Sequence, residues 1–354
     1  MDVAHGCTWD QARSFLPLDL DGLARKTGLL SRLRGTSSIE SLTRLLLLCA
    51  MPRASLRTVA DWGRENGISR MNSSALFFRL RDAEPFLEGC FNEILRHACV
   101  LQPQRFGDLC LVAVDATVLC GPGATGTDQR LHVVYDLGKG LPRSVDLTGP
   151  EGGESLARHN SLGSGDLVLG DRGYGHQRGL LACLESGASL LVRFEFNSIR
   201  LLNSNGDKIG TQEAASLIPA RGWADFPVFL PGWETPLRAL GSRNDKDEPV
   251  WLITDLTKEQ ILADEARSLY SQRWQIELFF KRLKSLLDLD ELPSRDGPTA
   301  RPWIWAKLVL CALAVLIADE RFSPWGRALG PIGVEALCQR NMELDNRSAE
   351  RSVA

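Results

Sequence analysis

One acid lies among several bases in residues 270–284, YSQRWQIELFFKRLK, which suits this segment to chemistry on charged groups. As a single helix, the segment would place Tyr270, Arg273, Glu277 and Lys284 within roughly 60° of one another, beside an apolar face for the core. Two interpretations of this stripe are open. Glu277 could form ordinary surface ion pairs with bases four residues away, or the acid and the bases could have separate roles in a catalytic site.

Two further acids favour the catalytic interpretation. Asp115 ends the apolar run LVAVD, and Asp171 directly follows the run LVLG. An acid at the carboxyl end of a buried strand is costly unless something pairs with it. Together with Glu277, these acids would form an oxygen-ligand site of the kind that Mg²⁺ prefers. Two such ions can bind the attacking and leaving oxygens of a phosphodiester, and nearby bases can hold the flanking phosphates.

The elements that must position these acids begin where the sequence pattern changes, at Phe106. From there to residue 196 the chain reads as strand, strand, strand, helix, strand, helix, strand, and the second and third strands form a predicted hairpin. This order predicts an α/β fold with a mixed sheet flanked by helices. His176 opens the second predicted helix, so we interpret it as a helix-start residue rather than a metal ligand.

Two further segments complete the predicted catalytic region. Residues 197–254 combine polar turns with short strand-like pieces, which indicates a β-rich insertion. Residues 255–330 carry Glu277 and are predicted to form one catalytic core with residues 106–196. Residues 331–354 are predicted to be a C-terminal tail.

Residues 1–105 read as an N-terminal helical domain. Within it, two predicted helices flank a turn that contains Gly67, and the second helix carries Arg79 and Arg81. Ser55 is predicted to cap the first of these helices, and Ser73 or Ser74 the second. The pattern resembles a helix-turn-helix that binds DNA, but an ordinary helical bundle has the same pattern. Both interpretations remain open.

Composition limits the classes of protein that need consideration. The 354 residues are enough for two or three domains, and a net charge of −3 argues against nucleic-acid binding through overall charge. Residues 266–310 nevertheless carry eight Lys and Arg against five acids. Nine cysteines without a C-x-x-C pair predict a cytoplasmic protein. The longest apolar run, residues 308–318, is too short to span a bilayer and predicts a buried helix rather than a membrane segment.

The four residues of the opening stripe carry a family resemblance. Tyr270, Arg273, Glu277 and Lys284 have the spacing Tyr-x2-Arg-x3-Glu-x6-Lys, the signature of DDE transposases of the bacterial insertion-sequence-4 family. The sequence VDAT at Asp115 resembles the first Asp motif of that family, and GDRGYG at residues 170–175 resembles the second. The resemblance extends over roughly residues 106–330 and does not include the N-terminal region beyond its helical character.

The resemblance implies a ribonuclease-H-like core with a β-strand insertion between the second Asp and the Glu. It also implies that Asp115, Asp171 and Glu277 are catalytic and hold two Mg²⁺ ions, for which Mn²⁺ can substitute. The expected activity is metal-dependent cleavage at transposon ends followed by strand transfer into target DNA. Two alternatives remain, a ribonuclease-H-like nuclease without joining activity and a catalytically retired DNA-binding protein.

The remaining signature residues are implied to contact DNA. By resemblance, Tyr270, Arg273 and Lys284 would bind phosphates near the transposon end. Trp274 could stack on an unpaired base, although a place in the core is an open alternative. The expected partner is double-stranded DNA that carries the terminal inverted repeats, together with target DNA. A homodimer is expected because two ends must be brought together.

Overall fold

The protein is described by a computed structural model. The described residues are 9–30, 35–98 and 104–322. The predicted C-terminal tail, residues 331–354, lies outside them. The chain divides into two compact units. The first comprises residues 1–100, 118–130 and 279–354, and the second comprises residues 101–117 and 131–278.

The described residues begin with six helices, continue with nine strands and two intervening helices, and end with three helices. The helices are α1 (Trp9–Phe15), α2 (Leu20–Lys26), α3 (Ile39–Cys49), α4 (Leu56–Glu65), α5 (Ser73–Arg81), α6 (Glu84–His97), α7 (Gln177–Glu185), α8 (Thr211–Ser216), α9 (Ala263–Ser271), α10 (Trp274–Leu287) and α11 (Gly297–Phe322). The strands are β1 (Arg105–Phe106), β2 (Leu109–Leu119), β3 (Gln129–Asp136), β4 (Leu141–Thr148), β5 (Asp166–Gly170), β6 (Ser189–Phe194), β7 (Ala224–Val228), β8 (Leu237–Arg243) and β9 (Pro249–Thr254).

The core of the first unit forms around α11, which packs against α1, α3, α5 and α6. Over Gly297–Ile317 this helix is long and apolar enough to cross a membrane, but most of it is buried inside the protein. Trp305, for example, is buried and its ring lies 5.7 Å from that of Phe91 on α6. The prediction of a buried core helix is therefore confirmed.

Side-chain caps define α4 and α5. The Ser55 hydroxyl accepts a 3.0 Å hydrogen bond from the Thr58 N–H at the start of α4, as predicted. Gly67 follows α4 with φ of +67°, which glycine adopts without strain. Asn72 caps α5, rather than either of the two serines that follow it. The prediction is wrong by one residue because Asn, an equally good cap, precedes the serines.

The second unit is organised by the sheet. The strand order is β4-β3-β2-β5-β6-β9-β8-β7, with β1 paired to β2. Strands β2, β5 and β6 are parallel, whereas β6, β9, β8 and β7 pair in antiparallel fashion. The four-residue connection between the neighbours β3 and β4 agrees with the predicted hairpin, because parallel neighbours need a much longer crossover. The mixed α/β prediction is confirmed.

Two details of the second unit differ from the sequence reading. The first predicted helix is a single 3₁₀ turn, Leu156–Arg158. Strand β2 also continues past Asp115 to Leu119, so Asp115 does not end the strand. Strands β7, β8 and β9, from the segment predicted to be β-rich, continue the same sheet.

Candidate active site

Strand register brings Asp115 and Asp171 to the same edge of the sheet. The last paired residues of the parallel strands β2 and β5 are Val114 and Gly170, and each acid is the next residue along its chain. Asp115 Oδ1 accepts a 2.8 Å hydrogen bond from the N–H of Ala116. Asp171 Oδ1 accepts a 2.9 Å hydrogen bond from the Gly173 N–H. Both carboxylates are thus oriented by backbone donors close to them in the chain.

The segment with the four signature residues is not the single helix that the sequence predicted. Helix α9 ends at Ser271 and α10 begins at Trp274, so Arg273 lies in the break between them. The backbone N–H groups of Gln272 and Arg273 bond to carbonyls three residues earlier, at Leu269 and Tyr270. This tighter turn replaces the regular helical pattern, so the predicted continuous stripe is wrong.

Arg273 contacts two of the three predicted catalytic acids. Its Nη2 donates to Glu277 Oε1, and its Nη1 lies 3.6 Å from Asp115 Oδ2. The guanidinium carbon also lies 5.9 Å from the centre of the Tyr270 ring. The i,i+4 ion pair of the surface-helix interpretation is therefore present, but the same arginine also reaches the strand acid. The Arg273 side chain is only 15% exposed, unlike an ordinary surface base.

Burial and neighbouring charges shift the ionisation of these groups. Burial raises the pKa of Asp115 to about 6, and the charges of Asp171 and Glu154 add to the rise. The Ala116 N–H and the charge of Arg273 oppose it. Burial also raises the pKa of Tyr270, with Arg273 acting in the opposite direction. Asp115 is thus an acid whose negative charge is poorly stabilised by its present surroundings.

The charge of Arg273 is maintained by the acids around it. Burial by itself lowers the pKa of the guanidinium, but Tyr270, Glu277 and Asp115 together raise it above its ordinary value. The group therefore remains a cation in a site that is otherwise acidic. Its planar fork suits it to contact two carboxylates at once.

Glu154 is an acid near this edge that the sequence analysis missed. It lies in the loop between β4 and β5, and its charge contributes to the raised pKa of Asp115. A Cβ atom added to Gly173 would lie 2.2 Å from Glu154 Oε2 and 3.2 Å from Asp171 Oδ1. Nothing in the local sequence GPEGGES distinguishes Glu154 from a solvated loop acid, and only the folded loop brings it to the sheet edge.

Two other predicted site residues have clear surroundings. Trp274 is 57% exposed, so the alternative of a core role is wrong. Lys284 is half-buried on α10, and its Nζ donates to the carbonyl of Val118 at 3.4 Å. Lys307 fixes the end of the same helix, since its Nζ donates to the carbonyls of Leu287 and Asp288.

His176 has a structural role, as the sequence predicted. It precedes α7, and its Nδ1 accepts a 3.2 Å hydrogen bond from the N–H of Gly179. Its Nε2 lies 3.0 Å from the carbonyl oxygen of Glu154. A neutral ring with the proton on Nε2 satisfies both contacts at once. Both nitrogens are engaged, so neither is available as a metal ligand.

Metal binding would require some rearrangement of these side chains. Across residues 9–30, 35–98 and 104–322, no group of three or more His, Cys, Asp or Glu side chains is placed to hold a metal ion as it stands. Arg273 lies against Asp115 and Glu277 in the present arrangement. The donor chemistry still fits a hard divalent cation, because all the acids supply oxygen and a cation would relieve the poorly stabilised charge of Asp115.

Comparison with known proteins agrees with this chemistry. Residues 107–314, more than half of the chain, match the family model for the transposase DDE domain. The chain therefore belongs to the DDE transposase family, whose members are DNA-cleaving enzymes that generally use divalent metal ions. It acts on DNA as a transposase.

Individual relatives cover most of the chain. The putative transposase InsL for insertion sequence element IS186A of Escherichia coli (strain K12) is 28% identical over 347 aligned positions, which cover 87% of this chain and 91% of the relative. The transposase for insertion sequence element IS421 of Escherichia coli has the same identity and coverage over 348 positions. The putative transposase y4zB of Sinorhizobium fredii (strain NBRC 101917 / NGR234) is 26% identical, over 61% of this chain and 63% of its own length.

Proposed function

We propose that this chain is a transposase of the insertion-sequence-4 type in which Asp115, Asp171 and Glu277 form the catalytic acid set. One observation carries the proposal. The parallel register of β2 and β5 makes Asp115 and Asp171 neighbours, and Arg273 connects Asp115 to Glu277. Three acids far apart in sequence thereby belong to one electrostatic site.

The chemistry that we propose is cleavage followed by transfer. Water attacks a phosphodiester at the transposon end, so that one P–O bond forms, one breaks, and a 3′-hydroxyl is released. That hydroxyl then attacks a second phosphodiester, either on the opposite strand or in the target DNA, so that a new P–O bond forms while the bond to the 3′ oxygen of the attacked strand breaks and that oxygen leaves as a hydroxyl. Two Mg²⁺ ions, with Mn²⁺ as a substitute, would activate the attacking oxygen and neutralise the leaving oxygen.

The signature bases have a separate role in this proposal. Arg273 leaves Asp115 and Glu277 when a cation takes over their charge, and its guanidinium then binds a DNA phosphate. Lys284 and the hydroxyl of Tyr270 hold further phosphates. Trp274 is exposed at the start of α10 and can stack on an unpaired base. These roles rest on the family signature and on the exposure and contacts of each side chain.

The N-terminal helices are proposed to bind DNA. Helices α4 and α5 pack together around the turn at Gly67, which is compatible with the helix-turn-helix interpretation. On α5, Phe78 is 51% exposed and Arg81 lies 5.1 Å over its ring. An exposed aromatic side chain stacked with a cation suits contact with a DNA backbone or base edge.

The core, the insertion, the oligomeric state and the cellular environment are proposed from the strand order and from the chemistry of the reaction. The strand order β4-β3-β2-β5-β6, with β2, β5 and β6 parallel, is the arrangement expected of a ribonuclease-H-like core. We propose residues 106–196 and 255–330 as that core and residues 197–254 as the insertion. A homodimer that holds two transposon ends is proposed because both ends must react together. All the described cysteines are free thiols, which supports a reducing, cytoplasmic environment.

The test uses the full chain and DNA that carries the inverted repeats flanking its gene. With Mg²⁺ or Mn²⁺ we expect strand cleavage and joined products, and with Ca²⁺ binding without cleavage, because Ca²⁺ has looser coordination geometry. Cleavage without joined products would instead identify a nuclease. Binding without cleavage in any metal would identify a retired DNA-binding protein. Full cleavage in EDTA would show that the acids are structural.

A further inference from the structure

A fourth acid, Glu154, lies beside the proposed catalytic set. A Cβ on Gly173 would be 2.2 Å from Glu154 Oε2 and 3.2 Å from Asp171 Oδ1. The two carboxylate oxygens are therefore separated by no more than the sum of these two distances. Carboxylates this close repel one another, and a cation bound between them would relieve that repulsion. Their proximity is a property that a shared cation would explain.

The loop that carries Glu154 is attached on both sides of the residue. The ring of His176 contacts the carbonyl oxygen of Glu154 at 3.0 Å, and the same ring caps α7. The hydroxyl of the next residue, Ser155, accepts a hydrogen bond from the N–H of Ala157 and starts the 3₁₀ turn. The backbone at Glu154 is therefore positioned by the fold. Its side chain is half-buried rather than extended into solvent.

Gly173 supplies the space that Glu154 occupies. Its φ is not positive, so a side chain at this position would meet no backbone strain. The nearest obstacle to a larger residue is the Glu154 carboxylate, the flexible end of a side chain, and Asp171 Oδ1 is the next at 3.2 Å. Replacement of Gly173 by Ala should therefore displace the Glu154 carboxylate without removing any acid from the protein.

We propose that Glu154 is a fourth carboxylate ligand of the active site, which joins Asp115 and Asp171 in binding the divalent cation. This inference rests on the proposed function above. The geometry supports it, because the Glu154 carboxylate lies beside Asp171 on a loop whose backbone contacts the His176 ring.

The decisive measurement is Mn²⁺ binding to the full chain by calorimetry, in the absence of DNA. We expect Glu154→Gln to weaken Mn²⁺ binding by roughly ten- to a hundredfold. We expect Gly173→Ala to weaken it as well, since its Cβ takes the space of the Glu154 carboxylate. Glu151→Gln is the matched control, because Glu151 is an exposed acid in the same loop, and it should bind Mn²⁺ like the wild type.

The outcomes separate this inference from the proposed function. If Asp171→Asn weakens Mn²⁺ binding while Glu154→Gln and Gly173→Ala do not, Glu154 is not a ligand and the three-acid proposal stands. If Asp115→Asn and Asp171→Asn also bind Mn²⁺ like the wild type, the proposed metal site itself is wrong, and Glu154 fails with it. Melting curves in EDTA report folding. Should Glu154→Gln not fold, Glu154→Asp takes its place, because it keeps the charge and withdraws the carboxylate by one methylene: weaker Mn²⁺ binding supports the inference, and wild-type binding contradicts it.

Discussion

The strand acids and the helix acid of the candidate site are held in different ways. Asp115 lies on β2 and Asp171 directly follows the neighbouring parallel strand β5, and each accepts a backbone hydrogen bond from a residue next to it or two positions on. Glu277 is on a helix that begins only three residues earlier, and its side chain is 42% exposed. Its carboxylate is held by Arg273, a residue in an irregular turn.

One half of the candidate site, Asp115 and Asp171, is therefore fixed by folding, and the other half, Glu277, is fixed by an ion pair. Sheet hydrogen bonds set where Asp115 and Asp171 lie, whatever the ionic conditions. The position of Glu277 depends on a guanidinium that a metal ion or a phosphate can draw away. If Arg273 moves as proposed, the surface ion pair and the catalytic site are two arrangements of the same residues.

The largest expected effect is on cleavage, and it should be equal for both halves of the site. We expect Asp115→Asn, Asp171→Asn and Glu277→Gln each to slow cleavage on the order of 10³-fold, because bound metals contribute several kcal/mol to the transition state. DNA affinity should remain near that of the wild type. The measurement is the cleavage rate on end-containing DNA with Mg²⁺, beside a binding assay. Activity retained in one variant would remove that residue from the catalytic set.

The second effect is on the free energy of unfolding, and it tests the strand half of the site through Asp115. The folded protein binds the Asp115 proton more tightly than the unfolded chain, since its pKa is about 6 rather than 3.8. The stabilisation from this proton is complete below about pH 4 and is lost as the pH rises through about 6. In EDTA, wild type should therefore lose about 2 kcal/mol relative to Asp115→Asn between these pH values.

Urea unfolding of both proteins at several pH values measures this change. The Asp115→Asn variant is the internal control, because it has no proton to lose at this position. A difference between the two proteins that stays constant from pH 4 to pH 7 would contradict the prediction.

A third, smaller effect on the free energy of unfolding tests the helix half of the site, where Arg273 holds Glu277. Arg273→Ala removes the cation between Asp115 and Glu277, and we expect a loss of about 1 kcal/mol in unfolding free energy in EDTA, limited by the partial exposure of Glu277. Arg273→Lys keeps the charge but not the two-pronged contact and should lose less. Added Mg²⁺ should recover part of the loss in Arg273→Ala. Equal stability of the three proteins in EDTA would show that this ion pair does not support the site.

The smallest effect should be that of Lys284. If it binds a phosphate, Lys284→Ala lowers the slope of log DNA affinity against log salt concentration by about one. The change in stability should be only a few tenths of a kcal/mol. Lys281→Ala is the matched control, an exposed lysine one turn earlier on the same helix, and it should keep the wild-type slope. If Lys284→Ala and Lys281→Ala have the same slope of log DNA affinity against log salt concentration, Lys284 is an ordinary surface base.

The strand half of the site could be predicted because its signals are local. Apolar runs that end in an acid, at Asp115 and Asp171, indicate both a buried strand and a functional carboxylate. The parallel pairing of β2 and β5 then follows from the order of the strands and helices along the chain. Turn residues and hydrophobic periodicity predict that order. The strands β2 to β6 and helix α7 occur in the predicted order for the same reason, although the first predicted helix is only a 3₁₀ turn.

The features that were missed depend on tertiary contacts. The break between α9 and α10 carries neither Gly nor Pro, so periodicity alone extended the helix through Arg273. Glu154 lies in a glycine-rich loop, and nothing local specifies where such a loop folds.

Helix α11 has a consequence for how the protein is made. Helices α1, α3, α5 and α6 pack against it, but about 200 residues of chain separate α6 from α11. On the ribosome, the N-terminal helices emerge long before the helix that covers their apolar faces. At a synthesis rate of roughly 5–20 residues per second, they wait about 10 to 40 seconds for it. The N-terminal region thus completes its core only after residues 297–322 have emerged, and a ribosome that stops before residue 297 leaves those faces open to chaperones and proteases.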